Sequence, residues 1–252
     1  MLDLIKRAFA SDGLLVEQGG RHTPEQGQYA ESVAQVLLSK GGLGLLEAET
    51  GVGKSLGYLI PSLIWLAQNP KKQIVISTFT RALQKQLIFE DVAKAVRVVD
   101  VLGLRPVKVA FRMGKESFFS IERVARVIAN IQTDENKDLL HKFYQFAVES
   151  ASHGSGLCSD WIEEFGQLPC DISPRSIGLI GAQTSIAYEN HLAAAREARL
   201  LITNHATMMI AVHRGILNPD NVHAVIVDEA HEFENAAKSF LNYRLNFQEI
   251  ES

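Results

Sequence analysis

The sequence predicts an α/β fold in which a parallel sheet is covered by helices on both faces. The first observation is that short runs of β-branched and other apolar residues alternate along the chain with longer helical patterns, as in β-α-β units. The second is that one of the helical patterns directly follows a glycine-containing turn, which itself follows an apolar run. Together they predict a layered sheet-and-helix lobe.

The composition describes a globular chain that has no large excess of charge. Of its 252 residues, 46% are hydrophobic and 21% are charged, which is enough for a core in one large domain or two smaller ones. The net charge of −4 argues against a general polyanion binder, so any nucleic-acid surface must be a local groove.

Three features of the sequence bear on where in the cell the protein is found. No apolar run approaches the ~20 residues that span a bilayer, and the N-terminus has no signal-peptide core. The two cysteines, Cys158 and Cys170, are too few for a disulfide framework and suit a reducing compartment. We therefore predict a cytoplasmic protein with no membrane partner.

Hydrophobic periodicity predicts the individual elements. Residues 1–13 predict a short amphipathic helix and Pro24 to Ser39 a longer one. The stretch "LGLLEA" (43–48) predicts a short buried strand, and "KSLGYLIPSLIWLAQN" (54–69) predicts the helix that follows. The remaining elements are a helix from Thr80 to Val96 and strands over "QIVIST" (73–78), "VKVAFRM" (107–113), "RLLITN" (199–204) and "HAVIVDEAH" (223–231).

The middle of the chain has a different pattern from its two ends. Glu116 to about Ala198 is rich in helical patterns and contains no clear sheet strand. The simplest organisation is an α/β lobe formed by residues 1–115 and 198–240, with a mostly helical insertion at 116–197. Residues 241–252 would begin a further domain.

The stretch "AETGVGKS" is a candidate phosphate-binding loop in which Ala48 replaces the usual first glycine. Backbone N–H groups of such a loop surround the phosphates at a helix N-terminus. Lys54 would reach the β- and γ-phosphates, and the Ser55 hydroxyl would hold Mg²⁺. A plain glycine turn before a helix is the alternative. The candidate nucleotide-binding residues are Ala48, Glu49, Thr50, Gly51, Val52, Gly53, Lys54 and Ser55.

The stretch "VIVDEAH" brings two carboxylates to the end of a predicted strand, at the sheet edge where ligands of α/β proteins bind. Asp228 could hold Mg²⁺ through water, while Glu229 could orient and deprotonate the water that attacks the γ-phosphate. A solvated acidic turn is the alternative for this stretch alone. Its combination with the loop favours an ATP and Mg²⁺ site.

These two motifs together resemble the first RecA-like lobe of superfamily two helicases, many of which have alanine at the first loop position. "TPEQ", "IVISTFTRALQKQL" and "LLITNHATMM" resemble motifs of one branch, the DinG/XPD-like DNA helicases. The resemblance covers roughly residues 20–115 and 198–240. It implies ATP-dependent 5′ to 3′ translocation on single-stranded DNA, with catalytic roles for Lys54, Asp228, Glu229 and His231.

The resemblance also implies roles for residues outside the phosphate site. Gln26 of "TPEQ" would contact the adenine edge, although Thr23 stands where many relatives have arginine, which weakens the expectation of adenine selectivity. His231 would relay the nucleotide state toward a second RecA-like lobe. The residues implied to lie along single-stranded DNA are Thr78, Thr80, Arg81 and Gln84.

One departure from the family pattern concerns its iron–sulfur cluster. Most DinG/XPD-like helicases have four cysteines between the two motifs, but here Ser120 stands in place of the first. Two thiolates cannot ligate a cluster that takes four, so we expect no iron–sulfur cluster. The alternative is a zinc site of His153, Cys158, Cys170 and His191, whose spacing matches no common zinc pattern.

Loss of the cluster with retained ATPase motifs resembles the CRISPR-associated DinG helicases of type IV systems, which implies a CRISPR ribonucleoprotein complex as a partner.

Two other functions stay open, namely a DEAH-type RNA helicase or ribonucleoprotein remodeller and a nucleotide-gated binding module that does not unwind. Glu229 favours hydrolysis, because a pure binder needs no positioned base. The chain contains no second RecA-like lobe, so we expect weak Mg·ATP binding and little turnover from it alone.

Overall fold

A computed structural model describes residues 1–39, 41–49, 51–78, 90–131, 136–170, 172–213 and 215–241. The chain divides into two compact units, the first formed by Met1–Phe111 and Ala198–Ser252 and the second by Arg112–Glu197. No helix in the described ranges combines the length and the apolarity needed to cross a membrane.

The helices of the described residues, in chain order, are α1 (Leu2–Phe9), α2 (Leu14–Glu17), α3 (Pro24–Leu38), α4 (Lys54–Gln68), α5 (Val92–Val101), α6 (Ile121–Ala129), α7 (Lys137–His153), α8 (Cys158–Phe165), α9 (Pro174–Ile177), α10 (Ile186–Glu197), α11 (His205–His213) and α12 (Phe233–Leu241). The predicted helix from Thr80 to Val96 falls largely on residues 79–89, outside the described residues. The described part, α5, ends five residues beyond the predicted end.

The first unit is built on a four-stranded sheet. Its strands are β1 (Gln73–Thr78), β2 (Val109–Arg112), β3 (Leu200–Asn204) and β4 (Val222–Val227), in the spatial order β2-β3-β1-β4. The central strand β1 pairs in parallel with both β3 and β4, so that Val75 lies opposite Leu201 on one side and Val225 on the other. The predicted α/β class with a parallel sheet is confirmed.

Helix α4 forms the centre of the first unit's core. Every residue from Leu56 through Ala67 is buried, because the helix is apolar on all its faces and packs among α3, α5 and the sheet. The helix continues through Pro61, although proline cannot donate a backbone hydrogen bond. The phosphate-loop candidate therefore leads into the most enclosed helix of the unit.

The prediction of a buried strand over "LGLLEA" is wrong. The structure gives residues 43–48 no regular secondary structure, and the Leu43 and Leu45 side chains are 89% and 88% exposed. The physical reason is that the segment does not come close enough to the outer edge of β4 to pair, and among the described strands β4 pairs with β1 alone. A cavity of about 500 Å³, lined by both the segment and β4, lies where such a pairing would occur.

This difference in burial predicts that two leucine-to-alanine changes lower the free energy of unfolding by different amounts. Leu63→Ala removes a side chain that is 1% exposed in the core and should lower the free energy of unfolding by about 2–5 kcal/mol. Leu45→Ala should change it by less than about 0.5 kcal/mol, because that side chain is already in water. Urea denaturation of both variants measures the difference. Equal losses would show that Leu45 is buried in solution.

The second unit is helical and has an aromatic core. The side chains of Phe143, Phe146, Trp161 and Phe165 meet edge-on or tilted, with ring centroids between 4.1 and 6.0 Å apart. Phe143 is fully buried, so the apolar face of α7 is part of this core. Within the described residues of this unit, strand-like pairing is limited to two isolated antiparallel bridges.

Candidate nucleotide-binding site

The phosphate-loop candidate has the backbone geometry that its glycines predict. Gly51 and Gly53 have φ of 86° and 83°, the left-handed region that favours glycine. Gly53 is the N-cap of α4, and no described side chain caps this helix end. The N–H groups of the first turn of α4 are therefore left for a ligand that accepts hydrogen bonds, such as a phosphate.

Gln26 supports the loop from inside. Its side chain is only 4% exposed, and its Nε2 donates to the Gly53 carbonyl at 2.8 Å. A Cβ at Gly53 would collide with this amide, so the close approach also requires glycine at position 53. In this structure Gln26 thus fixes the loop. Its role as an adenine contact stays a prediction.

The other loop residues differ in their surroundings. The Lys54 Nζ donates to the Ala48 carbonyl at 3.2 Å, so the lysine folds back over its own loop. Val52 is half-buried and Glu49 is exposed, while Thr50 lies outside the described residues. The lysine can exchange this single backbone acceptor for a phosphate oxygen without disturbing the core.

The acidic motif begins where β4 ends, and its first residue is bonded to two other elements. The Asp228 backbone N–H donates to the Ser77 carbonyl of β1 at 2.8 Å. Its Oδ2 accepts a hydrogen bond from the Tyr58 hydroxyl of α4 at 3.0 Å, and its Oδ1 accepts one from the Glu229 N–H at 3.0 Å. The structure therefore brings the Asp228 carboxylate to the helix that begins with Lys54.

The electrostatics of this carboxylate suit a cation. Burial raises the pKa of Asp228 above its ordinary value of 3.8, and the Glu229 charge raises it further. The Tyr58 hydrogen bond and the Lys54 charge lower the pKa but do not compensate fully. A bound Mg²⁺ would offset the remaining cost of holding a partly desolvated negative charge. Asp228 and Ser55 thus fit the predicted metal role.

Because the folded-state pKa of Asp228 is raised, the ionised carboxylate opposes folding. The folded state binds more protons than the unfolded state between pH 3.8 and the raised pKa, so this group's effect on stability worsens as pH rises through that window. We expect Asp228→Asn to raise the melting temperature at pH 7 without metal, with a smaller gain near pH 4. Thermal unfolding at the two pH values measures this. A gain independent of pH would contradict the ionisation argument.

Two residues near the metal-binding candidates were not predicted from the sequence. Burial raises the pKa of both Tyr58 and Asp91, and the nearby Ser55 hydroxyl lowers each in part. Tyr58 could have been found, since it lies four residues after Lys54 and so shares a helix face with it. No sequence pattern points to Asp91.

The remaining predicted residues are not all gathered at this site. His231 is largely exposed, and its ring nitrogens lie 3.6 Å from Glu229 Oε2 and 3.8 Å from Glu232 Oε1. Thr78 ends β1 and is 1% exposed, so its side chain is closed to solvent in this structure, and its role as a DNA contact stays a prediction. The other predicted DNA contacts, Thr80, Arg81 and Gln84, lie outside the described residues.

The second unit's residues do not fit an iron–sulfur cluster. Cys158 is buried in the aromatic core, and Ser120 acts as the N-cap of α6, where its side chain accepts a hydrogen bond from the Arg123 N–H. His191, a member of the alternative zinc set, accepts a hydrogen bond from the Met113 N–H, and burial lowers its pKa to about 4. Among the described residues, no three His, Cys, Asp or Glu side chains are grouped as metal ligands.

Several curated proteins, two of them named as helicases, are similar to the chain in sequence. The "3'-5' exonuclease DinG" of Bacillus subtilis is 29% identical over 82% of this chain and 22% of its own length. The "ATP-dependent DNA helicase YoaA" of Haemophilus influenzae is 26% identical over 98% and 39%, and the "ATP-dependent helicase DinG" of Mycobacterium tuberculosis is 26% identical over 88% and 36%. The chain thus spans between about a fifth and two fifths of these relatives.

Comparisons with family models and with solved structures give less similarity than the curated relatives do. No family model matches the chain. A solved structure named "XPD_Helicase" aligns with a TM-score of 0.46 and 15% identity, over 87% of this chain and 34% of that one. The sequence relatives support the resemblance to DinG/XPD-like superfamily two helicases that the motifs indicate.

Proposed function

We propose that the chain is the N-terminal ATP-binding part of an ATP-dependent DNA helicase. The observation that carries the proposal is the hydrogen bond between Tyr58 of the phosphate-loop helix and Asp228 of the acidic motif. It joins a loop suited to phosphate with a partly desolvated carboxylate suited to Mg²⁺. Relatives named as ATP-dependent DNA helicases support the same function.

The described residues would have separate roles in phosphoryl transfer, namely phosphate binding, metal binding and proton acceptance. The N–H groups at the start of α4 and the Lys54 ammonium would bind the phosphates, while Ser55 and Asp228 would hold the metal. Mg²⁺, when bound, neutralises charge that develops on the phosphoryl group. Glu229 is 33% exposed next to this site and is suited to accept a proton from a water molecule.

The finer parts of the proposal follow from the family resemblance. They are 5′ to 3′ movement along single-stranded DNA through Thr78, Thr80, Arg81 and Gln84, and closure of the site by a second RecA-like lobe. We also propose that the helical insertion at residues 116–197 occupies the position of the family's iron–sulfur domain and contains no iron. Association with a CRISPR ribonucleoprotein complex is a proposal of the same kind.

The test of this function is ATP hydrolysis by the protein with no nucleic acid, with single-stranded DNA and with single-stranded RNA. We expect Mg²⁺-dependent hydrolysis that DNA stimulates more strongly than RNA does, with weak turnover by the 252-residue chain and faster turnover once the second lobe is added. Greater stimulation by RNA would favour the RNA helicase. Binding of ATP without hydrolysis in any of these mixtures would favour the nucleotide-gated binding module.

A further inference from the structure

His205 lies where β1, β3 and α11 meet, and it is not one of the residues of the proposed nucleotide site. It is the first residue of α11, directly after β3, and its side chain is 1% exposed. Its Nδ1 lies 2.6 Å from the Ser77 Oγ, near the end of the neighbouring strand β1. The ring is therefore bonded to the strand whose next residue, Thr78, begins the predicted DNA segment.

The same ring also contacts the acidic motif. Its plane meets the Phe233 ring edge-on, at a centroid distance of 5.3 Å, and Phe233 begins the helix that follows this motif. Burial lowers the pKa of His205, while nearby groups of the acidic turn raise it. The imidazole is thus packed against the first residue of the helix that follows the acidic motif.

The acidic turn needs such support, because its backbone is strained. Glu229 has φ of 51°, in the left-handed region that residues other than glycine rarely adopt. A conformation of this kind costs of order 1–3 kcal/mol and persists only where surrounding contacts hold it. The contacts here are the bond from Asp228 to the Ser77 carbonyl and the packing of His205.

The position of His205 is itself fixed from its own helix. The Asn204 Oδ1 accepts a hydrogen bond from the Thr207 N–H at 2.8 Å, which ties the first turn of α11 to the end of β3. Ser77 and Thr203 are register partners in the sheet, so the two strands place their next residues side by side. A displacement of the acidic turn would consequently act on β1 through a short and rigid set of contacts.

We propose that His205 is a positioning residue that couples the acidic turn to the end of β1, so that nucleotide binding and DNA binding change each other's affinity. The inference rests on the proposed ATP and DNA functions, and it adds a route between the two ligands. The route runs from the acidic turn through Phe233 and the imidazole to Ser77 and Thr78.

The experiment measures the affinity of the protein for a fluorescent oligothymidylate, with and without a Mg²⁺-bound non-hydrolysable ATP analogue. The ratio of the two dissociation constants is the coupling factor. Ser77→Ala and His205→Phe remove the Ser77–His205 bond from either side, and His205→Asn keeps a polar atom near the position of Nδ1. Ser62→Ala is the matched control, because Ser62 is also a buried serine, but it donates only to the Tyr58 carbonyl of its own helix.

We expect a coupling factor of at least ~5 in the unchanged protein, of the size typical for linked sites. The factor should fall in Ser77→Ala and His205→Phe, although both keep the backbone bond between Asp228 and Ser77, and it should remain unchanged in His205→Asn and Ser62→Ala. If Ser77→Ala does not fold, the comparison of His205→Phe with His205→Asn decides the question.

Three outcomes separate the inference from the function on which it rests. Lower melting temperatures with an unchanged coupling factor would overturn the inference and leave His205 a structural residue. Binding of both ligands with no coupling in the unchanged protein would also overturn it, while the ATP and DNA functions would stand. If the unchanged protein binds no nucleotide, the proposed function itself fails.

Discussion

Replacing Lys54 with alanine should lower kcat/KM for ATP hydrolysis by ~10²-fold or more, the loss that follows removal of one electrostatic contact to a transition state. The ammonium would lie against the transferred phosphoryl group, where it offsets developing negative charge. Its charge also lowers the pKa of Asp228, so the variant should favour the protonated carboxylate and bind Mg²⁺ less well. Steady-state kinetics at several Mg²⁺ concentrations measures both effects.

The fold itself should tolerate this change. Among the described residues, Lys54 donates one hydrogen bond, to the Ala48 carbonyl of its own loop, so the free energy of unfolding should change by less than about 1 kcal/mol. Lys72→Ala is the charge-matched control, because Lys72 is bonded to the Asp220 carbonyl and lies outside the site. Normal turnover by Lys54→Ala would end the assignment of a phosphate loop.

Glu229→Gln should lower kcat by ~10²–10⁴-fold, the usual contribution of a general base. Glutamine has nearly the same shape as glutamate, so KM for Mg·ATP should change little, and the loss should lie in the chemical step. The substitution also leaves the backbone at φ of 51° as it is, since it alters the end of the side chain only. Single-turnover hydrolysis separates this effect from product release.

Glu234→Gln provides the control for the removal of a negative charge nearby. Glu234 is exposed and pairs with Lys238 on α12, away from the site, so its amide variant should hydrolyse ATP at the normal rate. Equal activity in Glu229→Gln and the unchanged protein would remove the proposed base. The Mg²⁺ role of Asp228 would then have to be tested separately, through metal affinity.

The sheet could be predicted because each of its strands is a short run of apolar residues that ends abruptly at polar ones. "QIVIST" and "RLLITN" contain β-branched residues at consecutive positions, which suits strands buried on both faces, and both became strands that pair in parallel. The acidic motif could be placed for the same reason, since Asp228 follows the last apolar residue of its strand. These features depend on local pattern alone.

The features that were missed depend on what lies across the fold. "LGLLEA" is as apolar as the true strands, but a strand must also reach the edge of a neighbouring strand, and composition does not describe whether it does. Gln26 and Gly53 are 27 residues apart, and their contact arises from the packing of α3 against α4. Tyr58 reaches Asp228 across 170 residues of chain, so only the three-dimensional structure shows that pairing.

The complete enclosure of α4 has a mechanical consequence for the nucleotide cycle. A helix whose residues are buried from Leu56 through Ala67 cannot slide or tilt without opening voids in a close-packed interior. The helix should therefore keep its position while the segments around it move. In the proposed nucleotide cycle, we therefore expect the loop ahead of α4 to move, where Gly51 and Gly53 have left-handed backbone, and α4 itself to stay in place.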